Sequence, residues 1–390
     1  MSATTRKPGG ARLAAIVLLA VPLVLYLLLY LMPLASTVAL SVDNGQIGRS
    51  LPAFADADPK DRDAQAAALL ADMQAMERGQ QATAARELNQ ELSGFRSLFL
   101  DTARKAGQIE QTAAGLAAFD PRWQDPRYWQ VLEGNASRWT ARHFQKATGI
   151  ARDADGRLSF TGDDIYLQIM LRTLVISAQV TVVTLLIGFP LAYAAANGGP
   201  GLARLVLVTV LMSFWISILV RTTAWVVLLQ TNGLVNTLLL WLGVIAEPLQ
   251  LIFNRFGAVV SMVHVLLPFA VIPMMNVMRT IPKSQTDASR SLGAGPVESF
   301  LRVYLPQTAR GVLVGGGTVF ILALGFYITP ALTGGPSDQM VAYYIAEFIK
   351  KSLNWGMASA LSVLLLAMVL ALAALFGGLR WLMGRRRGAV

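Results

Sequence analysis

Residues Leu13 to Leu40 form an almost wholly apolar run. Coiled as a helix it is long enough to cross a hydrocarbon layer roughly 30 Å thick. Further runs of this kind lie at about 167–196, 202–230, 255–280, 308–331 and 356–383. In lipid each backbone N–H and C=O must find a partner within its own segment, so runs like these fold as helices. Composition agrees: of 390 residues, 54% are hydrophobic and 14% charged, the balance of an integral membrane protein. A cleaved leader would also begin with basic residues, here Arg6, Lys7 and Arg12, and Leu34-Ala35-Ser36 resembles a cleavage site. A leader's apolar region is about 7–15 residues, so the length of this one favours a retained first span. The expectation is an all-α integral membrane protein with six transmembrane helices.

Residues 41–165 break the pattern. This insert is rich in Ala, Gln, Asp, Glu and Arg and contains no spanning run. From Asp61 to Ala118 it reads as helical, with Leu69, Leu70, Met73, Met76, Leu88, Leu92, Phe95, Leu98 and Phe99 at loosely helical intervals. Gly and Pro then become more frequent, and Trp123, Trp129 and Trp139 follow. Those aromatics fit a small core, a membrane-interface belt or a partner contact, and a packed domain with its own core is the favoured reading.

Charge sets the orientation. With the N-terminus in the cytoplasm, the inner segments carry Arg6, Lys7, Arg12, Arg204, Arg279, Lys283, Arg290, Arg302, Arg310 and Arg385 to Arg387. The short outer loops carry Arg255, Lys350 and Lys351, diluted by Glu247, Asp338 and Glu347. That asymmetry follows the positive-inside rule. It places both termini in the cytoplasm and the insert outside. The net charge of +10 is therefore spread over insert and loops and makes no nucleic-acid patch. The chain has no cysteine, which excludes disulfides and thiolate chemistry, and its two histidines are far apart, which argues against a His-rich metal site.

Between two apolar runs lies a polar stretch, Asp287-Ala288-Ser289-Arg290-Ser291-Leu292-Gly293, that closes with Val303-Tyr304-Leu305-Pro306. Ser284 and Asp287 fit a capping box for a short helix at 284–292. Gly293 suits its end, because Gly takes left-handed angles at little cost. Pro296 and Pro306 each suit the first turn of a following helix. This stretch resembles the cytoplasmic coupling motif of binding-protein-dependent ABC importer permeases: Glu-Ala-Ala, three residues, Gly, nine residues, Ile, one residue, Leu-Pro. The matching positions are Asp287, Ala288, Ser289, Gly293, Val303, Leu305 and Pro306, with Asp for Glu, Ser for Ala and Val for Ile. Pro190-Leu191-Ala192-Tyr193, Leu219 through Trp225 and Gly233-Leu234-Val235-Asn236 are similar to the spermidine/putrescine-type branch of that family. The resemblance covers about residues 166–383. The insert departs from it, since relatives have a much shorter first outer loop.

The resemblance implies the type I ABC importer permease fold: an N-terminal segment and first span over 1–40, a helical extracytoplasmic insert over 41–165, a permease core over 166–383 with its coupling helix, and a basic tail over 384–390. It also implies a bacterial inner-membrane location. The implied partners are two copies of an ABC ATPase, a second homologous permease, an extracytoplasmic binding protein and the lipid bilayer, with no nucleic acid. No Gly-x-x-x-x-Gly-Lys-Ser/Thr phosphate loop, zinc-protease motif or Gly-x-Ser-x-Gly elbow occurs. The chain thus reads as a transport subunit and not an enzyme, without a cofactor of its own, and ATP and Mg would be held by the partner ATPases. The cargo implied is a polyamine or a related cationic or amino-acid-like compound. Candidates for its path are Phe214, Trp215, Arg221, Trp225, Tyr327 and Glu347, since cations favour aromatic faces and acids. Arg221, deep in a span, fits a polar lining, an internal ion pair or a snorkelling anchor. His264 reads as a hydrogen-bonded core residue, and Gly315-Gly316-Gly317 as a close helix approach. Two other classes compete. A secondary transporter needs acids at mid-membrane, and the spans have almost none. A receptor needs a cytoplasmic signalling domain, and the tail after Met383 is too short for one.

Overall fold

A computed structural model describes residues 8–152, 157–160, 162 and 164–387. Arg6 and Lys7 lie outside the described residues, as do the side chains of Arg12 and Arg385 to Arg387. Among the described residues, six helices are long and apolar enough to cross a membrane. The chain divides into two compact units, residues 1–163 with 347–368 and residues 164–346 with 369–390.

In the first unit, α1 (Pro8–Ser41) exposes every large side chain from Leu18 to Met32. The insert that follows is built of helices Arg62–Ala75, Arg78–Asn89, Phe95–Lys105 and Pro126–Ala136. Their starts are legible in the residues. Asp61 accepts from the backbone N–H groups of Asp63 and Ala64, and Asp125 caps a helix whose first position is Pro126. Leu69, Leu70, Met73, Leu88, Phe95, Leu98, Phe99 and Leu132 are fully buried in one core. Trp123 and Trp129 join it, and each polar tip is satisfied: Trp123 Nε1 donates to Thr102 Oγ1 at 3.0 Å and Trp129 Nε1 to the Trp123 carbonyl at 2.8 Å. Trp139 stays exposed. The helical pattern does not foretell one small antiparallel ladder, Ile150–Arg152 against Leu158–Phe160, with Ile150 opposite Phe160.

The insert also grips residues 347–357 of the same unit. Gln90 Nε2 donates to the Ser352 carbonyl at 2.5 Å, and Asn354 Nδ2 donates to Gln90 Oε1 at 3.1 Å. Between them Leu353 is held at φ +54°, a left-handed conformation that a branched side chain seldom adopts.

The second unit is organised around α2 (Ile165–Asn197), α5 (Arg255–Arg279) and α7 (Pro296–Leu324). Met262, Leu266, Ala270 and Met274 recur every fourth residue on α5 and are fully buried. The α7 backbone comes close to this stripe. A Cβ added at Gly311 would sit 3.0 Å from Met274 Cα, and one at Gly315 would sit 3.0 Å from the Ala270 carbonyl oxygen. In lipid no hydrophobic force drives helices together, so such small-residue contacts supply the packing. The close approach expected at Gly315 and Gly316 is present, whereas Gly317 faces open space.

Two expected spans differ. The run 202–230 is not one helix: it is α3 (Pro200–Trp215) and α4 (Ile218–Leu229), with extended backbone at Ile216 and Ser217. The span itself covers Ile218–Trp241, interrupted around Gln230–Gly233. Nor does a helix start at Pro306. The helix runs unbroken from Pro296 and widens over Phe300–Tyr304, where Leu305 N–H reaches back to the Phe300 carbonyl. Pro306 has no N–H for the Arg302 carbonyl and its ring would crowd that group; a widened turn just before it relieves both problems. This helix stops at Leu324, and the short α8 (Ile328–Thr333) follows.

Candidate functional site

The polar stretch forms α6 (Lys283–Ser291). The expected capping box is absent. Pro282 occupies the cap position in extended conformation, so the helix begins at Lys283 and Ser284 falls inside its first turn. Its C-terminus is closed as expected. Gly293 has φ +96°, its N–H donates to the Arg290 carbonyl at 2.9 Å, and Ala294 N–H donates to the Ser289 carbonyl at 3.1 Å. This paired bonding is a Schellman ending, and it needs the left-handed glycine. A Cβ on Gly293 would meet nothing within 4 Å. The constraint there is therefore the backbone angle and not crowding within this chain.

The motif residues divide between two faces. Asp287 and Ala288 are exposed, and Leu292 beside them is 89% exposed. Val297 and Leu301 extend this uncovered apolar surface. Ser289 turns inward, its hydroxyl 2.6 Å from that of buried Ser299 and donating to the Thr286 carbonyl at 2.9 Å. Val303 and Leu305 are half-buried on either side of buried Tyr304, and Pro306 is exposed.

Behind the motif is an aromatic group that motif spacing does not reveal. Tyr193 of α2 stacks edge-on with Phe300 and Tyr304 at 5.6 and 5.3 Å, and Phe189 with Phe300 at 6.4 Å. Asn197 Nδ2 donates to the Tyr304 hydroxyl at 2.6 Å. These rings, with Lys283, Asp287 and Arg290, line a cleft of about 630 Å³. A ring ladder thus connects the turn that carries the motif to α2. Two of its members stand in stretches that the sequence singles out, Tyr193 at the end of Pro190–Tyr193 and Tyr304 in the one-residue gap between Val303 and Leu305.

The second candidate group, in the membrane helices, is only partly assembled. Trp225 Nε1 donates to His264 Nδ1 at 2.9 Å, which joins α4 to α5 and agrees with a hydrogen-bonded His264. Arg221 lies one turn before Trp225 on α4, half-buried, with a buried Nε that has no partner. Phe214 packs edge-on against Phe269 at 5.2 Å, whereas Trp215 is 90% exposed and makes no part of this group. Tyr327 sits at the break between α7 and α8. Glu347 belongs to the other compact unit, where its carboxylate pairs with Lys351 at 2.9 Å. Ser213, which the residues alone do not single out, is buried and lines a cavity of about 310 Å³ with His264.

Six helices long and apolar enough to cross a membrane, with a small helix projecting between two of them, define a multi-pass membrane protein. Residues 173–387 match the family of binding-protein-dependent transport system inner membrane components. The chain belongs to that family: it is a permease subunit of an ABC importer. It is 29% identical over 203 residues to the spermidine/putrescine transport system permease protein PotB of Escherichia coli, a match spanning 52% of this chain and 74% of that one. With PotB of Haemophilus influenzae it shares 30% identity over 199 residues, 51% and 70% of the two chains. Among solved structures, a chain of a bacterial ABC transporter that imports the acidic polysaccharide alginate superposes with a TM-score of 0.46 at 18% identity, covering 74% of this chain and 99% of that one.

Proposed function

We propose that this subunit forms half of the translocation path for a polyamine or a related cationic or amino-acid-like solute. PotB, a spermidine/putrescine permease protein by name, supports that cargo class. The path would run past Phe214, Arg221, Trp225 and Tyr327, and Trp215 and Glu347 are the remaining candidates for it. The other half would come from a second homologous permease, and an extracytoplasmic binding protein would deliver the solute. Two copies of an ABC ATPase would hold ATP and Mg. The loop charges support an orientation with both termini cytoplasmic, the 41–165 insert outside and α6 inside.

The observation that carries the coupling role is the exposed knob of α6. Asp287, Ala288 and Leu292 face outward on a helix whose ending is locked by Gly293 and whose inner side is fastened by Ser289. Apolar surface left uncovered on a rigid projection marks a contact with another protein. ATP binding would close the ATPase pair, carry α6 with its socket and rock the spans between inward-open and outward-open states. The test is purification of the tagged chain from its native membrane, followed by ATP-driven uptake of labelled spermidine into proteoliposomes. Recovery of an ATPase and a second permease is expected, with uptake abolished when ATP is omitted. Purification without any ATPase would refute the reading.

A further inference from the structure

On α3 and α4 two buried donor atoms, Arg221 Nε and Ser213 Oγ, have no acceptor. Arg221 is a permanent cation whose Nε is buried and unbonded. His264 uses Nδ1 to accept from Trp225, so a neutral ring carries its proton on Nε2 and presents a second N–H. The Ser213 hydroxyl is buried, bonded to nothing, and shares a cavity wall with His264. The acids of this unit among the described residues are Asp164, Glu247, Asp287, Glu298 and Asp338, and none lies on α3, α4 or α5. Asp338 is occupied by Arg255 at 2.6 Å and Glu298 by Arg302 at 2.9 Å. Arg221 lies one turn before Trp225, Trp225 reaches His264, and His264 shares a cavity wall with Ser213. A cation at membrane depth is costly without a counter-charge, and buried donors need an acceptor.

We infer that Arg221, His264 and Ser213 form a subsite for a carboxylate carried by the solute. This rests on the permease reading above and narrows it. An unopposed guanidinium repels a polyamine, which is cationic at both ends, and attracts an amino-acid-like compound, which has an acidic end. Trp225, bonded to His264, would supply an aromatic ring for the ammonium end of the same molecule.

The experiment uses the intact complex purified from its native membrane into lipid nanodiscs, titrated with putrescine or with 4-aminobutyrate. The second replaces one ammonium group by a carboxylate at similar chain length. Thermal stability is the readout for the wild type, Arg221→Gln and Ser213→Ala. 4-Aminobutyrate is expected to raise the wild-type melting temperature in a saturable way, and putrescine is not. Arg221→Gln should weaken the apparent affinity at least tenfold and Ser213→Ala at least threefold, with both complexes intact. Three results would overturn the inference: stabilisation by putrescine equal to that by 4-aminobutyrate, no saturable shift with 4-aminobutyrate, or an unchanged affinity in Arg221→Gln. Loss of the second permease from the Arg221→Gln complex would overturn it too, by assigning the missing counter-charge to that partner. ATPase co-purification, read on the same preparation without either probe, tests the permease reading separately.

Discussion

The hydroxyls of Ser289 and Ser299 lie 2.6 Å apart, so the third residue of the Asp287–Pro306 motif is tied to the helix that follows it, α7. With the Ser289 hydrogen given to the Thr286 carbonyl, Ser299 is the donor of this pair, and its Oγ also lies 3.3 Å from that carbonyl. If α6 docks on an ATPase as proposed, this contact would pass a displacement of α6 on to α7.

Ser289→Ala should loosen this tie. One partly buried hydrogen bond contributes about 1 kcal/mol, so the protein will still fold and insert. The expected effect is a several-fold fall in solute uptake per ATP hydrolysed, with ATPase binding retained. Measuring both rates on the same proteoliposomes checks it, and an unchanged ratio would count against a coupling role for this contact.

At Gly293 two substitutions separate backbone from bulk. The space around its Cα is open within this chain, so only φ +96° penalises a side chain there. A left-handed angle costs an ordinary residue roughly 1–2 kcal/mol, and Asn tolerates it best. Gly293→Asn should therefore keep most uptake and Gly293→Val should lose it. Equal loss in both would point instead to a docked partner that fills the open space.

Gly315 and Gly317 provide a matched pair on α7. A side chain at Gly315 meets the Ala270 carbonyl oxygen, a backbone atom that cannot swing away, whereas Gly317 faces nothing within 4 Å. Gly315→Leu should destabilise the bundle by about 1–3 kcal/mol or more through overpacking. Gly317→Leu should be tolerated. Melting temperatures of the two detergent-solubilised variants decide it.

His143 in the insert contacts the Asp43 carbonyl at 3.2 Å. Burial holds its imidazole below the usual histidine range, with Arg142 and Lys146 adding to the effect and the Asp43 carbonyl and Glu91 opposing it. The unfolded chain therefore binds this proton more readily than the folded one. The stabilising contribution is complete above the ordinary value of about 6.5 and falls away as pH drops below it toward the depressed folded value. Protease resistance of the insert in the full-length protein should decline from pH 7.5 to pH 5, and His143→Gln should flatten that decline. A wild-type profile that is level over the same range would contradict it.

The residues by themselves determined the class and the skeleton. Apolar length decides membrane helices, because backbone groups in lipid must be satisfied within the segment. A glycine decides where α6 ends, because the left-handed angle at Gly293 is a local matter. Tertiary structure decided the rest. The break at Ile216–Ser217 carries no Gly or Pro and leaves hydropathy unchanged, so nothing along the chain marks it. The wide turn at Phe300–Tyr304 follows from the position of Pro306 within a helix that continues past it. Trp225 meets His264 across 39 residues of sequence, and Gly311 and Gly315 find Met274 and Ala270 on another helix. Such pairings depend on which helix faces meet, and hydropathy averaged over a segment does not record the face.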